Sequence, residues 1–332
     1  MAVVGCLRLR GGLRSVVVLI ICVVGMVAAG TSPAAADQAT ISRDAVNATH
    51  KRLFQTPVTD SVNYVALGDS YSSGLGTGVY EAASAACARS GLSYPPLWAA
   101  EHSPASFTFV ACSGATTADV LANQVSALGA ATDLVTITIG GNDAGFAPVL
   151  QTCTVAPRDS ACIAAVDAAE VFELFVLPVR LARAYAAIRA AAPHAYVVVL
   201  GYPRLFELTS SCADPQAPNL VRRRKLDEGA DLLNNVIKAV STLYGLGFTD
   251  VRDRFAGHGL CSTNSWINGP TVLPSIGPYH PNQTGYHDGY LPVLDATTAQ
   301  STPARRNQTD SLQATAALVG GLLGLAPSRV RK

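Results

Sequence analysis

The sequence predicts an α/β fold, a three-layer α/β/α sandwich with a central parallel five-stranded sheet. Five short apolar runs are rich in β-branched or aromatic residues, as strands buried on both faces are. Segments with helical spacing separate these runs, and strands that alternate with helices form right-handed βαβ units. The predicted strands are Asn63 to Leu67, Phe107 to Ala111, Leu134 to Ile139, Tyr196 to Leu200 and Phe248 to Val251. The predicted helices are Leu97 to His102, Asp119 to Leu128, Cys162 to Ala192 and Leu220 to Tyr244.

The composition is poor in charge. Of the 332 residues, 49% are hydrophobic and 14% are charged, against about 25% charged in an average soluble protein. A membrane protein is not indicated, because the one long apolar run, Ser15 to Gly30, is shorter than the roughly 20 residues that span a bilayer. Disorder is excluded as well, since plentiful Val, Leu and Ile can bury a sizeable core.

The N-terminus has the three parts of a secretory signal. Arg8, Arg10 and Arg14 form a basic start, an apolar run follows, and three alanines that end at Ala36 provide a small-residue cleavage site. We therefore expect residues 1–36 to be a signal peptide and the protein to be secreted after cleavage near Ala36. An uncleaved membrane anchor is the alternative.

The rest of the chain divides by composition into three parts. Residues 37–60 are a polar lead-in segment, residues 61–298 contain all predicted strands and helices, and residues 299–332 are a tail. The tail includes an apolar stretch, Leu312 to Leu325, which we expect to be a short helix packed on the domain, with weak surface association as the alternative.

The charge balance argues against a nucleic-acid partner. The chain has 24 basic and 23 acidic residues, and loss of three Arg with the signal leaves a net charge of −2. No basic field for nucleic acid remains. The one basic run, 222–225, is followed directly by acidic residues and is typical of a solvated helix face.

Six cysteines remain after the signal, and an even number in an oxidising compartment favours disulfide bonds. Six cysteines allow several disulfide connectivities. A bond between Cys153 and Cys162 is easily closed, because these two cysteines flank a short polar turn. A zinc site is the alternative, but the chain has no C-x-x-C and no clustered His. The six are Cys87, Cys112, Cys153, Cys162, Cys212 and Cys261.

Polar residues and glycines follow three of the predicted strands, at the edge where open parallel sheets bind ligands. Ser70 lies between flexible glycines near a helix start, so we expect its hydroxyl to be exposed at the crevice and its backbone N–H to be free. Gly114 lets a backbone N–H approach a ligand without a side chain in the way, and Asn142 offers an amide donor. With His280 near the end of the chain, these residues supply a nucleophile, two further donors and a base.

This set of motifs resembles the SGNH hydrolases, also called GDSL lipases and esterases, from Tyr64 to Leu294. The matching blocks, in the family's order, are Gly68-Asp69-Ser70, Gly114, Gly140-Gly141-Asn142-Asp143 and His280-Pro281-Asn282. The resemblance implies a flavodoxin-like sheet. The opening of the first block and the six cysteines look most like the secreted actinobacterial lipase/esterase branch, which implies three sequential disulfides.

The resemblance also implies a serine ester hydrolase. In this mechanism His280 takes the proton of Ser70 Oγ as the oxygen attacks an ester carbonyl. The N–H groups of Ser70 and Gly114 and the amide of Asn142 form the oxyanion hole. No metal or organic cofactor is required. We expect a monomer that acts on a small-molecule or lipid acyl ester, with transient contact with a lipid interface.

One position departs from the family pattern. The usual Asp three residues before the His is Gly277 here. In the secreted branch a backbone carbonyl orients the base, which implies the Gly277 carbonyl and a Ser-His dyad. An Asp from elsewhere, Asp253 or Asp288, is the alternative. His287 competes with His280 as base, but its position favours a surface residue.

Two other functions remain open. One is a carbohydrate O-acetyl esterase, which exposed aromatic residues beside the crevice would favour; the candidates are Trp98, Trp266 and Tyr279. The other is a non-catalytic cell-surface or ligand-binding protein with the same fold, against which the intact Ser, Gly, Asn and His set argues. Acyl chain length is not predicted, because loops of unknown conformation form the pocket walls.

Overall fold

The structure is a computed structural model that describes residues 62–273 and 277–299. The expected signal peptide at 1–36, the lead-in at 37–60 and the apolar stretch from Leu312 to Leu325 lie outside these residues. Among the helices that the structure describes, none combines the length and the hydropathy that crossing a bilayer requires.

A parallel sheet of five strands forms the middle of the fold, in the order β2-β1-β3-β4-β5. The strands are β1 (Asn63–Gly68), β2 (Ser106–Phe109), β3 (Leu134–Thr138), β4 (Tyr196–Leu200) and β5 (Gly247–Thr249). The predicted fold class is therefore confirmed. This strand order reverses direction at β1 and β3, and doubly wound sheets of this order bind ligands at that point.

Helices cover the sheet in two layers. They are α1 (Ser70–Ser73), α2 (Tyr94–His102), α3 (Thr117–Asp119), α4 (Phe146–Val155), α5 (Asp159–Phe175), α6 (Leu177–Ala191), α7 (Leu220–Leu243) and α8 (Leu291–Ala299). Helices α5, α6 and α7 pack on one another, and α2 packs on α8. A wide π-helical turn, Gly285–Tyr290, leads directly into α8.

Two predicted helices differ from the structure, and α4 is a helix that the sequence did not indicate. The helix predicted over Cys162 to Ala192 is two helices, because it breaks at Val176, just before the first turn of α6, where Pro178 has no N–H to donate. The helix predicted over Asp119 to Leu128 is not α-helical beyond its first residue: α3 ends at Asp119, and a π turn and a 3₁₀ turn follow. Helix α4 was not predicted, because its apolar residues show little periodicity.

Strand β2 is not buried on both faces, contrary to the sequence prediction. Ser106 and Thr108 are exposed, while Phe107 and Phe109 are half-buried. The reason is its place in the sheet: β2 is an edge strand that pairs with β1 alone. The inner strands β3 and β4 are buried almost throughout, which accounts for much of the apolar composition.

Candidate active site

Ser70 is the first residue of α1 and lies in a sharp turn directly after β1. Asp69 caps the helix, since its Oδ1 accepts a hydrogen bond from the N–H of Tyr71 at 2.9 Å. Gly68 has φ +125°, and a Cβ there would lie 2.6 Å from the carbonyl oxygen of Thr138. The turn therefore requires glycine, and it brings Ser70 to the carboxyl edge of the sheet, where the residue is only 6% exposed and so more buried than the sequence indicated.

His280 lies on the loop that follows β5 and contacts the serine directly. Its Nε2 is 2.7 Å from Ser70 Oγ, and its Nδ1 is 2.9 Å from the carbonyl oxygen of Pro278. Because a carbonyl oxygen only accepts, Nδ1 carries the proton and Nε2 has a free lone pair. The imidazole is thus in the tautomer that accepts a proton from Ser70.

The prediction that the Gly277 carbonyl orients the imidazole is wrong. That carbonyl accepts the backbone N–H of His280 at 3.3 Å, which closes a tight turn, and so it points away from the ring. The next carbonyl, of Pro278, faces Nδ1 instead. Gly277 has another role: its φ is +87°, and a Cβ at this position would lie 2.5 Å from Leu75 Cγ, so only glycine fits the turn.

Neither alternative acid lies at the base. Asp288 binds its neighbour His287, at 2.6 Å between Oδ1 and Nδ1, and Asp253 is exposed. Within residues 62–273 and 277–299, no carboxylate forms a hydrogen bond or ion pair with His280. His287 is exposed, as the sequence suggested.

The three predicted oxyanion donors lie in loops that hydrogen bonds join together. The N–H of Cys112 donates to the carbonyl of Gly68 at 3.0 Å, and Asn142 Nδ2 donates to the carbonyl of Ala115 at 3.0 Å. Gly114, with φ +81°, is exposed. In the described part of the chain, the N–H groups of Ser70 and Gly114 donate to no other residue. Both are therefore free for a ligand.

Tyrosine side chains surround the pair, and sequence reasoning missed them. The Tyr71 ring lies 4.8 Å from the His280 ring, and its hydroxyl donates to the carbonyl of Tyr279 at 2.6 Å. The Tyr286 hydroxyl donates to the carbonyl of Leu75 at 2.8 Å. Tyr71 follows the nucleophile directly, which was a usable signal; Tyr286 follows no strand and gave none.

The six cysteines pair in chain order. The bonds are Cys87–Cys112, Cys153–Cys162 and Cys212–Cys261. The first bond anchors the loop that carries Gly114, and the third joins the loops that follow β4 and β5. Because every one of these sulfurs is bonded to another, the zinc alternative fails.

Burial lowers the pKa of His280 to about 4, and the hydrogen bond from Nδ1 to Pro278 opposes that shift only partly. The base works only when it is neutral, so activity should persist below the ordinary His pKa and disappear as the pH falls through about 4. We expect the acid limb of kcat/KM to have its midpoint nearer 4 than 6.5. Initial release of p-nitrophenol from a soluble p-nitrophenyl ester, read at a wavelength where the phenol and the phenolate absorb equally, measures it.

The control for that profile is stability: the enzyme is returned to neutral pH after each exposure and must regain full activity. A midpoint at or above the ordinary value of 6.5 would contradict the inferred environment of His280.

Residues 66–287 match the GDSL-like Lipase/Acylhydrolase family. The lipase of Streptomyces rimosus is 47% identical over 242 residues, which are 73% of this chain and 89% of that protein. Lipase 1 of Streptomyces coelicolor is 45% identical over 232 residues, 70% of this chain and 85% of that protein.

Two crystal structures have similar folds. Phospholipase A1 from Streptomyces albidoflavus NA297 and the extracellular lipase from Streptomyces rimosus each superpose with a TM-score of 0.68 at 47% identity. Each similarity covers 71% of this chain and 99% of the other.

Proposed function

Because the chain belongs to the GDSL-like Lipase/Acylhydrolase family and is a carboxylic ester hydrolase, we propose that it cleaves acyl esters through Ser70 and His280. The observation that carries this proposal is the distance of 2.7 Å between Ser70 Oγ and His280 Nε2. A nucleophile and a base within hydrogen-bond reach are the geometric requirement for covalent catalysis by serine.

The first half of the reaction forms an acyl-enzyme. His280 Nε2 takes the proton of Ser70 Oγ while that oxygen attacks the ester carbonyl, and the carbonyl oxygen becomes an oxyanion. The N–H groups of Ser70 and Gly114 and the amide of Asn142 stabilise it, each donor contributing about 3 to 4 kcal/mol to the transition state. Collapse breaks the ester bond, and His280 gives its proton to the leaving alcohol.

The second half repeats these steps with water. His280 takes a proton from a water molecule, the resulting hydroxide attacks the acyl carbon, and the released Ser70 oxygen regains the proton. The Pro278 carbonyl holds the imidazole in one tautomer throughout. A carbonyl supplies the orienting half of what a carboxylate does in a triad, without its full negative charge. The catalytic unit is then a Ser-His dyad.

We also propose that the substrates are lipid esters. Two similar proteins are named lipase, and a third is named phospholipase A1. The carbohydrate alternative loses its expected support, because Trp98, Trp266 and Tyr279 are each at most 6% exposed. Residues 1–36 are proposed as a secretory signal, cleaved near Ala36 from a protein that acts as a monomer; the similar Streptomyces rimosus protein is described as extracellular.

Hydrolysis of p-nitrophenyl esters from acetate to palmitate, by the wild type and by Ser70→Ala, tests the proposal. We expect Ser70-dependent turnover with a preference for acyl chains longer than acetyl. Absence of Ser70-dependent turnover at every chain length would overturn the proposed mechanism, and activity on acetate alone would overturn the lipid substrates.

An exposed apolar face lies where α5 meets α6. This α5–α6 apolar face has five large side chains, each 40 to 70% exposed. Arg180 directly follows Val179, the last residue of this face, and its guanidinium lies 3.3 Å from Asp143 Oδ1. Asp143 in turn follows the proposed oxyanion donor Asn142. The face therefore adjoins the catalytic edge, and we propose it as the contact with a lipid interface. Its members are Val171, Leu174, Phe175, Val176 and Val179.

Phe175→Asp tests that contact. A carboxylate resists transfer from water to a lipid surface, so turnover of an emulsified long-chain triacylglycerol should fall about fivefold or more, while turnover of soluble p-nitrophenyl acetate should not change. Leu243→Asp is the matched control, since Leu243 is 53% exposed at the far end of α7. Equal losses on both substrates, or equal losses in the control, would exclude a role in interface binding.

A further inference from the structure

Tyr202 is a buried residue that follows β4 and reaches toward the catalytic turn. Its backbone is held by Asn234 of α7: the N–H of Tyr202 donates to Asn234 Oδ1 at 2.8 Å, and Asn234 Nδ2 donates to the carbonyl of Tyr202 at 2.9 Å. Asn234 is fully buried. The side chain of Tyr202 therefore extends from a rigid base.

The Tyr202 hydroxyl connects two loops of the site. It donates to Asp69 Oδ2 at 2.5 Å and accepts the backbone N–H of Gly141 at 3.0 Å. Asp69 caps the helix that begins with Ser70, and Gly141 directly precedes Asn142. One hydroxyl thus joins the turn of the nucleophile to the loop of an oxyanion donor.

The fit around this hydroxyl is close. A Cβ on Gly141 would lie 3.2 Å from Tyr202 Cζ, which is closer than ordinary van der Waals contact, so a side chain there would press on the ring. The Tyr71 ring meets the Tyr202 ring edge to face, with 5.0 Å between centroids. Tyr71 also packs on His280. Tyr202 therefore contacts the turn of Ser70 and the loop of Asn142 directly, and His280 only through Tyr71.

We propose that Tyr202 is a positioning residue that sets the separation between the Ser70 N–H and the Asn142 amide, so that both donors meet one oxyanion. The inference rests on the proposed function of Ser70. A hydroxyl that donates to a carboxylate becomes a better hydrogen-bond acceptor. The hydrogen bond from Tyr202 to Asp69 and the one from Gly141 to Tyr202 therefore strengthen each other. Without the hydroxyl, two buried polar groups lose their partner and the loops separate.

Tyr202→Phe removes the hydroxyl and keeps the ring. We expect kcat to fall about 10- to 100-fold with KM within about twofold, because the misplaced donors act in the transition state and not on the bound ester. Each rate is divided by the concentration of active sites that an alkyl phosphonate titrates, so unfolded protein does not contribute to the measured kcat.

Tyr290→Phe is the matched control. Tyr290 is fully buried, and its hydroxyl donates to the carbonyl of Gly201 at 2.9 Å, one residue from Tyr202, but not to Asp69 or Gly141. A structural loss alone would lower the Tm of both variants and leave kcat per titrated site unchanged. If kcat of Tyr202→Phe stays within about twofold of the wild type, the positioning role is overturned.

A double-mutant cycle separates positioning through Asn142 from other effects. In the Asn142→Ala background, Tyr202→Phe should lower kcat by less than about threefold, since the donor it positions is already gone. The full loss in that background would overturn the inference. If Tyr202→Phe does not fold, Asp69→Asn is the second variant, because it places an amide donor where the Tyr202 hydroxyl needs an acceptor. A wild-type kcat in Asp69→Asn would also overturn the positioning role of Tyr202.

Failure of the proposed function looks different. If the phosphonate labels the wild type but not Ser70→Ala, the nucleophile is correct and the Tyr202 result stands on its own. If the wild type is not labelled at Ser70, the proposed mechanism and the inference both fall.

Discussion

Replacing Ser70 with alanine should lower kcat by about 10⁴- to 10⁶-fold. The variant has no oxygen to form the acyl-enzyme, so water has to attack the ester directly. The oxyanion donors are backbone and Asn142 groups that the substitution leaves in place, and they should support a small residual rate. Initial rates on p-nitrophenyl butyrate, with protein free of wild-type carry-over, measure the loss.

A second buried serine is the control for that experiment. Ser90 is fully buried, and its hydroxyl accepts from Thr77 Oγ1 at 2.9 Å and forms no hydrogen bond with His280. Ser90→Ala should change Tm more than Ser70→Ala does, and it should leave kcat within about threefold of the wild type. A kcat above about one-hundredth of the wild-type value in Ser70→Ala would mean that another group is the nucleophile.

His280→Ala should lower kcat by about 10⁴-fold or more, because an un-ionised serine hydroxyl is a weak nucleophile. In Asp253→Asn and Asp288→Asn, kcat should remain within about threefold of the wild-type value, since neither carboxylate contacts the imidazole of His280. The same assay and a Tm for each variant measure these effects.

His287→Ala is the matched histidine control. His287 is exposed and binds only its neighbour Asp288 among the described residues, so its loss should leave kcat unchanged. If either Asp variant lost several orders of magnitude in kcat while still folded, the dyad would be wrong and a triad would replace it.

The fold could be predicted from sequence because each inner strand is a continuous apolar run between turn residues. What could not be predicted depends on position in the sheet and on local geometry. Phe107 and Phe109 are as apolar as the side chains of the buried inner strands, so the sequence of β2 does not show that it is exposed. Its exposure follows from its place at the edge of the sheet, which only the strand order reveals. The break at Val176 is different: Pro178, which has no N–H to continue a helix, was a local signal for it, but helical spacing continues on both sides and hides the break.

The site was predictable where a residue follows a strand directly. Ser70 and Asn142 satisfy that rule, and the structure brings His280 to Ser70. The orienting carbonyl was assigned one residue too early, because the direction of a carbonyl depends on the dihedral angles of its turn. Tyr202 also follows a strand, but its partners lie on two other loops, and no pattern within its own segment indicates them.

The most direct test of the central claim is the mass of the enzyme during turnover. The protein is mixed with a p-nitrophenyl ester, quenched in acid within milliseconds and digested, and the masses of the peptides are measured by mass spectrometry. We expect one acyl group on the peptide that contains Ser70, and none in Ser70→Ala. An acyl group on another residue, or burst release of p-nitrophenol with no acylated peptide, would contradict an acyl-enzyme at Ser70.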